Sequence, residues 1–163
     1  LLTCTLFVPS VASAQESQGN ERRGLFGGLG FGVGIGDCLG GECDFGGSGN
    51  ARIGGTVSDR WRLAFATHGY VSNDYEFGAA TFQGLYNPGG GDFFLLFGAG
   101  AGTASGWSTT GLALVGGLGI DISINKSGSL ALTPFLNFIY TTDETSWDDK
   151  ADFLQAGLGL TFN

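Results

Sequence analysis

The sequence predicts an all-β fold, an eight-stranded antiparallel up-and-down barrel, and three observations carry that expectation. Apolar and small residues alternate with period two along several segments, as on strands whose successive side chains point to opposite faces. Turn signals recur at regular spacing between those segments, and no helical period appears. Only 13% of the 163 residues are charged, well below the roughly 25–35% typical of a water-facing surface.

The elements follow in order. Leu25–Gly36 reads LFGGLGFGVGIG and anchors the first strand, expected from Arg23. Leu25, Leu29, Phe31, Val33 and Ile35 share one face, and Gly28, Gly30, Gly32, Gly34 and Gly36 the other. Glycine this dense weakens a strand unless something makes the bare face necessary. The first loop is expected at Asp37–Asn50, with two cysteines, five glycines and three acids. A short second strand, Ala51–Val57, precedes the turn at Ser58–Arg60. The third strand is Trp61–Tyr70 and the fourth Tyr75–Tyr86, whose apolar residues fall on both faces. Asn-Pro-Gly-Gly-Gly at 87–91 is a strong turn signal.

The fifth strand, Asp92–Gly102, repeats the opening pattern. Loop Thr103–Thr110 surrounds Trp107, and the sixth strand covers Gly111–Ile124. The seventh is Ser129–Thr141, after a short turn at Asn125–Gly128. Acidic loop Thr142–Asp149 leads to the eighth strand, Lys150–Phe162. Connections near residues 58, 88 and 126 are short; most of the others are longer and more acidic.

Volume and charge decide which face looks inward. An eight-stranded barrel is just wide enough inside for side chains to fill. Four or five large apolar residues from every strand would overfill it, whereas the glycine-rich face leaves room for Phe94, Leu96, Phe135 and Phe153. That second face carries few ionised groups: Arg52, Arg62, Asp121 and Glu76. These are too few for a solvated exterior and suit a closed lumen, with Arg52, Arg62, Asp121, Asn137 and Gln155 as its polar network. Asp121 is expected to pair with Arg52 or Arg62, because charges in a narrow lumen must be paired. The apolar face then looks at lipid, so the barrel is a transmembrane one with a side-chain-filled lumen. Trp61, Tyr86, Phe93 and Phe162 lie beside the short turns or the C-terminus, where an interfacial aromatic girdle belongs. Tyr70, Tyr75, Tyr140 and Trp107 fall near the opposite end.

Leu1–Val8 followed by Ala12-Ser13-Ala14 has the pattern of the later part of a signal peptide, giving residues 1–14 as signal. Residues 15–23 form a polar segment and 24–163 the barrel domain. Export to an oxidising compartment leads to a Cys38–Cys43 disulfide, with Cys4 leaving with the signal. The net charge of −8 argues against nucleic acid as a partner. The glycine runs are not phosphate loops, because they recur with period two on strands and no helix follows.

Gln155–Phe162, Gly116–Ile122 and Leu132–Phe138 resemble the small eight-stranded outer-membrane barrels of Gram-negative bacteria, OmpA- and OmpX-like. The resemblance implies a cell outer-membrane location among lipid and lipopolysaccharide, and a monomer. It also implies recognition by the barrel-assembly machinery through Gln155, Gly157, Leu160 and Phe162; Asn163 follows one residue beyond the family pattern. The family contains structural and surface-interacting members, so the leading expectation is a non-enzymatic protein acting through acidic surface loops. A lipid A-modifying hydrolase or acyltransferase is a second reading, with His68, Ser72 and Asp74 as candidates. A third is a soluble periplasmic barrel with an apolar ligand. Asp143, Glu144, Asp148, Asp149 and Asp152 are weighed as a divalent-cation site against a plainly solvated loop.

Overall fold

A lone strand with glycine at every second position would have little to hold it, and in the computed structural model each such strand is hydrogen-bonded on both sides. The structure describes residues 24–36, 43–73, 76–105, 110–142 and 150–163. Eight staves run antiparallel: β1 (Leu25–Gly36), β2 (Asp44–Ser58), β3 (Trp61–Val71), β4 (Glu76–Tyr86), β5 (Phe93–Ala104), β6 (Gly111–Ile120), β7 (Leu130–Thr142) and β8 (Lys150–Phe162). A two-residue piece, Ile122–Ser123, continues β6. Each stave pairs with its neighbour in the chain, and β1 pairs with β8, Leu29 opposite Leu160, to close the cylinder. Closure removes every sheet edge and satisfies the backbone internally.

Two elements differ from the sequence reading, and each has a physical cause. β2 begins at Asp44, inside the stretch expected to be loop. Its residues 44–50 (DFGGSGN) have little β-propensity of their own, but β1 is twelve residues long and pairs with β2 from Gly36↔Asp44 to Leu25↔Gly55. The unmet N–H and C=O groups of β1 draw this weak segment into the ladder. The β6–β7 ladder is broken between Gly119↔Phe135 and Ile122↔Leu132. That register would set Ile120 opposite Pro134, which has no N–H to give, so the ladder lapses there.

The outward face is mainly apolar: Phe31, Phe65, Phe97, Leu118 and Leu158 are all exposed. Phe94, Leu96, Phe135 and Phe153 lie inside, each at most 5% exposed. β4 resolves into Phe77, Thr81, Gln83 and Leu85 buried inward, with Phe82 outward. Glu76 is not a lumen residue; it begins β4, exposed and opposite outward-facing Val71. Tyr70 is not part of an outer aromatic ring; alternation along β3 turns it inward, and it is fully buried.

The inner glycines have identifiable occupants in front of them. A Cβ at Gly34 would stand 2.6 Å from Tyr70 Cδ2, one at Gly30 2.7 Å from Phe135 Cε1, and one at Gly119 2.5 Å from Phe94 Cζ. Outward Gly78 meets nothing within 4 Å. Gly34→Val is therefore expected to cost about 1–3 kcal/mol from overpacking, while Gly78→Val is neutral or stabilising. Urea unfolding of the lipid-folded barrel distinguishes the two, and Gly34→Val combined with Tyr70→Leu should recover much of the loss.

Candidate functional site

The lumen is the place where the staves bring polar chemistry together, and it is filled in three tiers. Towards the long-loop end, Tyr70 stacks on Phe153 (ring centroids 5.5 Å apart), and Phe153 meets Phe77 edge-on at 4.8 Å. The Tyr70 hydroxyl donates to the Asp44 carbonyl at 2.7 Å. This aromatic tier stands over a neutral polar one.

In the middle tier, Gln155 Oε1 accepts from Asn137 Nδ2 at 3.2 Å and from Asn50 Nδ2 at 3.4 Å. Gln83 Nε2 lies 2.7 Å from His68 Nε2 and donates to Thr81 Oγ1 at 2.9 Å. His68 is thus turned into the lumen beside Gln83, not towards Ser72 at the end of its stave. Asp74 lies outside the described residues; among those described, the imidazole makes a hydrogen-bonding contact with Gln83.

The third tier, towards the short turns, is ionic. Arg62 Nη1 donates to Asp121 Oδ2 at 2.9 Å, both side chains at most 3% exposed. Asp121 Oδ1 accepts from Thr133 Oγ1 at 2.8 Å, and Thr133 shares a 2.8 Å hydroxyl contact with Thr161. The Arg62 guanidinium carbon lies 5.2 Å from the Phe26 and Phe94 ring centroids. Arg52 reaches the same Phe94 ring at 5.5 Å without joining the ion pair. Asp121 follows the lapse in the β6 ladder, so side chains tie β6 to β7 where the backbone does not.

The structure brings Asn137 to Gln155 and Arg62 to Asp121, and keeps these two groups in separate tiers. Sequence reasoning left Asn50, Gln83, Thr133 and Thr161 out of the polar network. Their alternation on the faces of Arg52, Leu85, Phe135 and Gln155 was the signal that could have found them. On the girdle, Trp61 sits opposite Tyr86 in register, ring centroids 4.9 Å apart, and meets Phe97 edge-on at 5.6 Å. Phe93 and Phe162 are exposed on the same rim. In the C-terminal stretch Leu160 and Phe162 face outward, while Gln155 and Gly157 belong to the lumen wall. Cys43, at the head of β2, is disulfide-bonded. Cys38, Tyr75, Trp107, Asp143, Glu144, Asp148, Asp149 and residues 1–23 lie outside the described residues.

A cylinder of eight staves with an apolar outside and a polar, plugged inside has solved counterparts. Neisserial surface protein A superposes with a TM-score of 0.60 at 13% identity, over 85% of this chain and 96% of that one. The attachment invasion locus protein Ail of Yersinia pestis gives 0.54 at 16%, covering 85% and 97%. The outer-membrane protein OprG of Pseudomonas aeruginosa gives 0.50 at 12%, covering 88% and 98%. The fold is that of the small outer-membrane barrels. No protein-family model and no curated protein matches the sequence.

Within this barrel the Arg62–Asp121 pair is buried enough for its two halves to depend on each other. Arg62→Met should cost about 3–5 kcal/mol, because it strands a buried carboxylate. Arg62→Met with Asp121→Leu should recover most of that loss. A double-mutant cycle of unfolding free energies measures the coupling; additive losses would mean that the pair is not the tie.

Proposed function

We propose that this chain is a monomeric, non-enzymatic integral protein of the bacterial outer membrane. Its barrel is a closed anchor, and its acidic long loops make contacts at the cell surface. The observation that carries the reading is the division of faces. Leu, Ile, Val and Phe side chains stand exposed around the outside, while the lumen is occupied by hydrogen-bonded and aromatic groups. Water would oppose such an exterior and hydrocarbon favours it. A soluble ligand-binding barrel would place these faces the other way round.

Lipid and lipopolysaccharide surround the belt in this reading, and Trp61, Tyr86, Phe93 and Phe162 mark its short-turn interface. The barrel-assembly machinery recognises the end of β8 through Gln155, Gly157, Leu160 and Phe162. A Cys38–Cys43 bond closes the loop between β1 and β2. Ail has been crystallised with the heparin analogue sucrose octasulfate, a polyanion. Asp143, Glu144, Asp148 and Asp149 in the last loop, in a chain of net charge −8, make a polyanion a poor fit here. A cationic or neutral surface partner suits these loops better.

In cell fractionation, the wild type should partition with the outer membrane and shift gel mobility on heating. Leu118→Arg should destabilise the lipid-folded barrel by up to about 2–4 kcal/mol; a detergent-independent soluble monomer that tolerates this change would overturn the assignment. Mass spectrometry should show the same lipid A acylation with and without expression, and altered acylation would restore the enzyme reading.

A further inference from the structure

Arg52 is a cation that the ionic tier does not balance. It enters the lumen from β2 in a row with Gly28 of β1 and Thr161 of β8. Its stem crosses the bare face of Gly28, where a Cβ would stand 3.3 Å from Cγ and 3.5 Å from Nε. Its guanidinium ends beside Phe94, the ring that also carries Arg62. Two positive groups are thereby held close together. Among the described residues, Asp121 attracts Arg52 and Arg62 repels it.

Asp121 is already engaged on both oxygens, Oδ2 by Arg62 and Oδ1 by Thr133. Among the described residues Arg52 makes no ion pair or hydrogen bond, and its interaction is with the Phe94 ring face. Among the described residues this half of the lumen therefore holds two arginines against one carboxylate, an excess of one positive charge within a chain of net charge −8. An aromatic face offsets only part of the cost of desolvating a cation, and an enclosed charge calls for a counter-charge. Arg62 is 2% exposed, whereas Arg52 keeps part of its surface exposed. A guanidinium offers several donors in a fixed fork and stays protonated, so its complement is a small oxyanion or halide.

We propose that Arg52 forms, in the short-turn half of the lumen, a binding site for a single small inorganic anion of the chloride or phosphate class. The anion enters from the compartment that the short turns face. It neutralises the surplus charge, so the barrel's occupancy and stability depend on which anions are present as well as on ionic strength.

The test is chloride NMR on the full chain, folded in detergent and checked for heat-modifiable mobility, at constant ionic strength. The wild type is expected to broaden the chloride resonance, and inorganic phosphate to reverse the broadening. Arg52→Gln should reduce it to the level of the detergent blank. Arg52→Lys, which keeps the charge without the fork, should retain part of it and serves if the glutamine variant does not fold. Equal broadening by wild type and Arg52→Gln, an adventitious ion only, overturns the proposal.

Discussion

The width of the cylinder is the constraint on which the remaining structure depends. Eight staves enclose a space that side chains can just fill, and the chain meets this limit by alternating wall and occupant. Tyr70 lies over Gly34 and Gly36, Phe135 over Gly30 and Gly157, and Phe94 over Gly119. The glycines are bare because another stave has already used their volume. Large apolar residues are displaced to the outside, where a membrane has room for them.

Placing polar groups inside raises a second demand, because each must find a partner in a narrow enclosure. For the groups paired in each tier, Arg52 excepted, the lumen meets it by separating chemistries along its length. Aromatic stacking closes the long-loop end, amides occupy the middle, and the Arg62–Asp121 pair with its threonines holds the short-turn end. The last group also compensates for Pro134. Where the proline withholds an N–H from the β6–β7 ladder, Asp121 and Thr133 restore a link through their side chains.

Much of this was legible in the sequence because period-two alternation gives both strand position and face. β8 begins and ends at the expected residues, and β1, β3, β5 and β7 differ by only one or two at an end. Segment 44–50 was not legible: its Gly, Ser and Asn content describes a loop, and only the length of β1 makes it a strand. β4 was ambiguous because apolar residues occupy both its faces, and the pairing Trp61↔Tyr86 through Val71↔Glu76 settles them. Tyr70 was assigned by its nearness to a strand end, a one-dimensional cue, whereas parity with Arg62 and Ala64 turns it inward. In the ionic tier, sequence could name Arg52, Arg62 and Asp121 but could not choose between the arginines. That choice rests on where two staves stand across a closed wall.

The reciprocity of glycine and aromatic bears on how such a chain can drift. A lumen fixes the sum of the side-chain volumes within it and leaves their distribution among the staves free. A gain on one stave can be met by a loss on its neighbour, and the lipid-facing positions ask only for apolarity. Many sequences therefore satisfy the same cylinder, and lineages can exchange nearly all their residues in compensated steps. Three solved barrels that share 12–16% identity with this chain and still match it over 85–88% of its length show how far sequences can differ within one fold.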